Sequence, residues 1–300
     1  MVNLLKILIF GVNGMLGHKL FQHLSSYEEF QVHGTARVQG RWMAALPRSL
    51  GGKIRLGVDA YDFDTVSQAI RDIRPDWVMN CIGLIKQGNW GKDSPANIFI
   101  NALLPHQIAR VCQESGARLL HFSTDCVFSG QQGNYTEEDF PDAGDLYGRS
   151  KLLGEVNDLH CLTLRTSIIG HELQSQLGLM EWFLGQQERI CGYTRHIYTG
   201  FPTMELARTI ARYIIPHPEL HGVYHLSSEP ISKYDLLRLA AQTYGKPIEI
   251  EPYHETFCDR SLNSAKLRGL VQYTPPPWPE MIGDMYRDFK TAGYKTAWGK

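Results

Sequence analysis

The 300-residue chain is 43% hydrophobic and 20% charged, the composition of a globular protein with room for one large α/β domain or a large and a small one. A formal net charge of -1 offers no basis for a nucleic-acid partner held through phosphate contacts. No apolar run approaches the roughly 20 residues that cross a bilayer, and the six cysteines (Cys81, Cys112, Cys126, Cys161, Cys191, Cys258) lack Cys-x-x-Cys spacing, which points to reduced thiols in a cytoplasm and to no zinc site.

In chain order, Leu4 to Phe10 is apolar but short, carries Lys6 and runs directly into a glycine-rich loop. It therefore reads as a buried first strand, Leu5 to Phe10, and not as the core of a signal peptide. The loop is Gly11-Val12-Asn13-Gly14-Met15-Leu16-Gly17. Small residues there let the backbone approach a pyrophosphate, whose charge the N-terminus of the next helix stabilises. Its Gly-x-x-Gly-x-x-Gly spacing departs from the usual Gly-x-Gly-x-x-Gly fingerprint. Leu16, Leu20, Phe21 and Leu24 then form a helical apolar stripe. Phe30 to Thr35 fits a second strand, followed by Arg37 where NAD-specific domains place an acid against the ribose hydroxyls. A guanidinium suits the additional phosphate of NADP through charge-assisted hydrogen bonds.

Asp64 is expected as the N-cap of a helix carrying Val66, Ala69, Ile70 and Ile73, with Trp77 to Ile82 as the next buried strand. A helical stretch from Pro95 to Cys112 should kink or restart at Pro105. Arg118 to Ser123 reads as a strand, the segment from Tyr147 as a helix and Cys161 to Arg165 as a strand. This alternation predicts an α/β fold with a doubly wound parallel sheet of Rossmann type over residues 1–167. Beyond it, a glycine- and aromatic-rich stretch from Gly170 to Phe201 and a proline-bearing tail from Pro275 to Pro279 predict a smaller substrate-binding domain over 168–300. The run Gly222 to Leu226 returns a strand to the main sheet, near 222–227. Leu179, Met180, Trp182 and Phe183 are expected to pack as an amphipathic helix and not to line a ligand box.

Tyr147 and Lys151 lie four residues apart, a spacing that puts both on one helical face. A nearby ammonium favours the phenolate and lowers a phenol pKa that is about 10 when unperturbed, which makes Tyr147 a proton donor and acceptor near neutrality. Downstream of a nucleotide-type glycine loop, the pair points to hydride transfer.

With these residues in place, the chain resembles the extended short-chain dehydrogenase/reductases. The resemblance rests on Gly11 to Gly17, Asn80-Cys81-Ile82-Gly83, Ser123-Thr124-Asp125 and Tyr147 to Lys151, in that order and spacing. Further runs, Ser123 to Phe128, Leu164-Arg165-Thr166-Ser167, Phe201-Pro202-Thr203, Gly222 to Leu226 and Arg260-Ser261-Leu262-Asn263, resemble the group of dTDP-4-dehydrorhamnose reductases and related sugar-nucleotide reductases. The resemblance implies that Tyr147 protonates the carbonyl oxygen of a 4-keto sugar nucleotide while the nicotinamide of NADPH delivers hydride to its carbon, in making a polysaccharide or glycosylated metabolite. Lys151 would depress the Tyr147 pKa and bind the nicotinamide ribose, and Thr124 would orient the carbonyl. Gly11, Asn13, Gly14, Met15, Leu16, Gly17, Arg37, Asp59, Cys81, Ile82 and Gly83 would join Tyr147 and Lys151 around the cofactor. Thr124, Asp125 and Cys126 would meet the substrate, with Arg195 and Arg260 as diphosphate contacts, and Asn101 falls where the superfamily often has an asparagine beside the active site.

The chain departs from the reductase pattern at Cys126, where tyrosine is usual, and at Ile168, where tryptophan is usual; both remove aromatic surface near the sugar. Family members that bind magnesium use a glutamate just after the glycine loop, and Lys19 here implies no metal. The expected partner is a nucleotide sugar, without nucleic acid or membrane, in the cytoplasm; a homodimer and the use of NADH stay open. Two alternatives compete: a sugar-nucleotide 4-epimerase retaining NAD, against which Arg37 leans, and a regulatory subunit that binds NADP without turnover, against which Thr124, Tyr147 and Lys151 lean. Cys126 argues against a 4,6-dehydratase, which needs an acid and a base after Thr124.

Overall fold

The computed structural model describes residues 4–87, 92–174, 176–292 and 294. Its central sheet contains β1 (Leu5–Phe10), β2 (Phe30–Ala36), β3 (Ile54–Leu56), β4 (Trp77–Asn80), β5 (Arg118–Thr124) and β6 (Cys161–Thr166). Later in the chain, β7 (Ile168–Ile169), β8 (Ile190–Tyr193), β9 (His196–Tyr198) and β10 (Phe201–Pro202) precede β11 (Gly222–His225), which rejoins that sheet beside β6. The seven strands lie in the order β3-β2-β1-β4-β5-β6-β11, every pairing parallel. Helices α1 (Met15–Leu24), α2 (Phe63–Ile73), α3 (Ser94–Asn97), α4 (Leu104–Ser115), α5 (Leu146–Leu153), α6 (Leu179–Gly185) and α7 (Thr203–Thr209) occupy the connections.

Alternation along β1 explains why both faces are covered. Ile7 and Ile9 point into one cluster with Leu20, Phe21 and Leu206 from α1 and α7, whereas Leu8 and Phe10 point into the other with Val66, Ile70 and Ile108 from α2 and α4. All four are fully buried. This is the doubly wound α/β architecture, and the strand order reverses between β1 and β4, where such sheets open a crevice at their carboxyl ends.

Smaller sheets follow. β7 pairs with β10, β8 with β13 (Ile250–Tyr253), and β9 is flanked by β12 (Ile231–Ser232) and β14 (Cys258–Asp259). The remaining helices are α8 (Lys233–Tyr244), α9 (Ala265–Val271) and α10 (Trp278–Thr291). Met180 and Phe183 of α6 are buried and Trp182 is exposed, as one apolar stripe requires.

Two local expectations need correction, and one strand went unpredicted. The helix α2 is preceded by Asp62, and Asp64 sits in its first turn; no side-chain cap forms, because the Thr65 hydroxyl stitches the preceding turn to the Asp59 and Asp62 carbonyls. The strand expected to run to Ile82 stops at Asn80, whose carboxamide oxygen accepts the Ile82 N–H and turns the chain out of the sheet. The three-residue β3 carried no sequence signal of its own and exists through pairing with β2. At Pro105 the helical path does not break: Leu103 and Leu104 keep right-handed helical backbone angles, and the π-helical stretch Ile98–Leu103 passes directly into α4, so the expected kink or new start appears as a change from π to α hydrogen bonding next to a residue that lacks an N–H. Among the described residues, no helix is long and apolar enough to cross a membrane.

Candidate active site

The glycine loop connects β1 to α1 at the crevice. The Gly11 and Val12 amides donate to the Thr35 carbonyl, which ties the loop to the end of β2. Gly11 adopts φ +81°, a left-handed conformation that favours glycine, and a Cβ at Gly17 would overlap the Gly11 carbonyl oxygen. Helix α1 starts at Gly14 with no side-chain cap and no acid in its first turn. The turn therefore presents free helical N–H groups behind a side-chain-free cradle, which fits a nucleotide cofactor's pyrophosphate. Arg37 is exposed just past β2, and Asp59 is half-buried, with its carboxylate accepting from the Tyr61 N–H. Cys81, Ile82 and Gly83 leave β4 beside the loop, and the Cys81 N–H bonds the Phe10 carbonyl.

Across the crevice, Thr124 ends β5 and Tyr147 and Lys151 lie on α5. The Asp145 carboxylate caps α5 by accepting the Gly148 N–H at 2.8 Å. A Cβ at Gly148 would collide with the Cys126 carbonyl oxygen, so glycine is what lets the helix approach the turn after β5. The Lys151 ammonium is buried, donates to the Phe122 carbonyl at 2.6 Å and lies 3.5 Å from the His121 ring. Burial brings its pKa down to about 8, opposed by the charge of Glu155. The Lys151 charge also acts on Cys81, so the ammonium stands between the end of β5 and the loop after β4.

The expected lowering of the Tyr147 pKa does not occur. Burial is the largest influence and pushes the phenol upward; Cys126 and Asp125 push the same way, and a hydrogen bond with Thr124 offsets only part of this. The physical reason is that α5 packs against the β5 turn and dehydrates the hydroxyl, while the ammonium is directed to the Phe122 carbonyl. Tyr147 is thus a neutral phenol at pH 7. Thr124 donates to Asp125 at 3.2 Å and accepts the Cys126 N–H at 3.1 Å. Asp125 itself is buried, which raises its pKa against the pull of the Arg260 guanidinium.

The structure brings Arg260 to this cluster across 132 residues: its Nε donates to the Phe128 carbonyl at 2.9 Å and its Nη1 lies 3.7 Å from the Cys126 sulfur. Arg195 goes elsewhere, exposed with its guanidinium over the Phe257 ring at 5.2 Å. Asn101 sits in the π-helical stretch, where its carboxamide accepts the Leu84 N–H and donates to the Leu84 carbonyl and the Ser150 hydroxyl. It binds the loop after β4 to α5. Ile168 opens β7, and Lys19 is buried in an ion pair with Asp288 at 2.8 Å. His217, His221 and His225 recur at four-residue spacing, a pattern that holds metals on helices. Here His217 and His221 engage Glu219, and His225 is buried in β11. Among the described residues, no group of three or more His, Cys, Asp or Glu side chains could hold a metal ion.

A family model described as the RmlD substrate binding domain matches residues 5–290. The chain belongs to that family. Methionine adenosyltransferase 2 subunit beta of Rattus norvegicus is 26% identical over 255 residues, covering 81% of this chain and 73% of that protein. Spore coat polysaccharide biosynthesis protein SpsK of Bacillus subtilis is 23% identical over 308 residues, covering 96% of this chain and 99% of SpsK. The solved structure of dTDP-4-dehydrorhamnose reductase from Bacillus anthracis in complex with NADP superposes with a TM-score of 0.77 at 22% identity, over 95% of this chain and 99% of that one. That likeness establishes a shared fold.

One residue beside this RmlD-family site escaped the sequence reading. Glu155 supports Lys151 electrostatically, and its place four residues further along was a signal that could have found it.

Proposed function

We propose that the chain is an NADPH-dependent reductase of a 4-keto group on a nucleotide-activated deoxysugar. The observation that carries this reading is the convergence of Thr124, Tyr147 and Lys151 at the end of β5, across the crevice from an uncapped glycine-loop helix. Nicotinamide, when bound, supplies the hydride. The glycine loop would hold the pyrophosphate and Lys151 the nicotinamide ribose, with Asp59, Cys81, Ile82 and Gly83 lining the cofactor. Tyr147, neutral at pH 7, would give its phenolic proton to the carbonyl oxygen, the proton that together with that hydride turns the ketone into an alcohol. Thr124 positions that oxygen, beside Asp125 and Cys126. Residues 1–167 with the 222–227 strand form the cofactor half, and 168–300 supply most of the sugar-nucleotide contacts.

The test is absorbance-monitored NADPH oxidation with a panel of dTDP- and UDP-linked 4-keto-6-deoxy sugars. Sugar-dependent oxidation is expected; measurable cofactor binding without oxidation of any sugar would defeat the reductase reading. The similarity to methionine adenosyltransferase 2 subunit beta favours a second reading, in which the site binds a dinucleotide without turnover as part of another enzyme. That outcome of the same assay supports it.

Arg37 follows the strand whose Thr35 carbonyl anchors the glycine loop, and is solvent-exposed. Removing a charge-assisted contact to the 2′-phosphate of NADPH costs about 1.5–3 kcal/mol, roughly a 10- to 150-fold loss in affinity. Arg37→Ala is therefore expected to weaken NADPH by that factor and NADH little, as read by calorimetric titration of each; equal weakening of both would remove Arg37 from phosphate recognition.

A further inference from the structure

A chain of buried polar groups runs beneath the crevice from the end of β4 to Lys151, and its hydrogen-bond directions are fixed from one end. Asn80 and His121 are register partners in β4 and β5, so their side chains share a face, and both are buried, as is Lys151. The Ile82 N–H, which can only donate, meets Asn80 Oδ1 at 3.1 Å. That contact orients the carboxamide. Asn80 Nδ2 is then the atom that faces His121 Nδ1, at 3.3 Å, and it too can only donate. His121 Nδ1 must therefore accept, and carries no proton.

Burial holds the His121 pKa well below its ordinary value, with the charges of Lys151 and His106 acting in the same direction, so the ring is neutral. A neutral imidazole has one N–H. With Nδ1 accepting, that hydrogen sits on Nε2, 3.5 Å from Lys151 Nζ. An ammonium has three hydrogens and no lone pair, so it would set donor against donor there. The amine offers its lone pair to the Nε2–H and still donates to the Phe122 carbonyl at 2.6 Å. The other titratable groups acting on Lys151 pull the opposite way: Glu155, beyond α5, and Cys81, after β4, both favour the ammonium. His106, on α4, is bonded to the Leu153 carbonyl.

Resting on the reading of Lys151 as part of the cofactor site, we propose that His121, oriented by Asn80, is a positioning residue that turns its Nε2–H toward Lys151 and favours the amine over the ammonium. Lys151 can then change charge close to neutral pH, and the pH range of the site is set from beneath it by a fully buried ring.

The test is nuclear magnetic resonance of the cofactor-free protein carrying 15N-labelled histidine and 13C-labelled lysine, with His121 and Lys151 assigned through the backbones of β5 and α5. His121 is expected as the Nε2–H tautomer, with Nδ1 at the shift of an unprotonated ring nitrogen. The Nδ1–H tautomer would overturn the proposal, and this measurement needs no variant. Lys151 is expected to titrate at about pH 8 in wild type. In His121→Gln it should titrate about one pH unit higher, roughly a tenfold gain in proton affinity, because glutamine keeps a polar group at the position and its carboxamide oxygen can turn to the ammonium. An unchanged Lys151 titration in folded His121→Gln would equally overturn the proposal. Neither measurement uses cofactor or sugar, so failure of the reductase assay defeats that reading alone, and an Nδ1–H ring defeats the positioning role alone.

Discussion

Tyr147→Phe is expected to lower kcat by at least about 10²-fold and leave NADPH affinity nearly unchanged, because a positioned proton donor contributes on the order of 10²–10⁴ and only that donor is removed. The site's packing explains why the substitution is clean. The ring stays on α5, and the hydroxyl it loses is not the sole partner of Thr124, which keeps its donation to Asp125 and its acceptance of the Cys126 N–H. The direction of the Tyr147 pKa sharpens the expectation: burial keeps the phenol protonated at neutral pH, the form needed to deliver a proton to a carbonyl oxygen. Paired measurements of kcat and of calorimetric NADPH affinity check it. Turnover like wild type in the phenylalanine variant would remove Tyr147 from the mechanism.

The second large effect concerns stability beneath the same site. Glu155 and Arg165 form a buried pair, with side-chain exposures of 7% and 6%. One Glu155 oxygen accepts from Arg165 Nε at 2.8 Å and from the Ser123 hydroxyl at 2.7 Å, and the other accepts from Arg165 Nη2 at 2.8 Å. Arg165 also lies over the Phe128 ring at 5.3 Å and reaches the His225 ring, so the pair couples β5, β6 and β11. Glu155→Ala strands the guanidinium without its counter-charge and is expected to destabilise the fold by about 3–5 kcal/mol. Replacing both residues by methionine removes the stranded charge and should recover much of that loss. Thermal unfolding of the single and double variants decides the matter: a Glu155→Ala midpoint near wild type, or a double variant less stable than the single, would contradict the account.

The features legible in the sequence have short range. Strand alternation, the apolar stripe on α1, the glycine loop and the four-residue spacing of Tyr147 and Lys151 each depend on residues within one turn or one strand. So does the change from π to α hydrogen bonding next to Pro105, since a missing N–H acts on its own helix. Asp64 was misplaced as a cap for the complementary reason: Asp59, Asp62 and Asp64 all offer capping chemistry, and hydrogen bonds from Thr65 select the turn. β3 left no pattern because three residues at a sheet edge hold no period.

The sequence by itself determined the doubly wound class, the order of motifs along it and the residue types at the crevice. The tertiary structure decided the electrostatics and the partners. Tyr147 and Lys151 are helical neighbours, but which way the phenol titrates depends on dehydration by the turn after β5 and on the Phe122 carbonyl that engages the ammonium. Arg260 and Arg195 look alike as sequence candidates, yet one meets Cys126 and the other Phe257, because strand register places residues remote in sequence on one face or the other. Contacts of that range carry no local period, so only the folded chain expresses them.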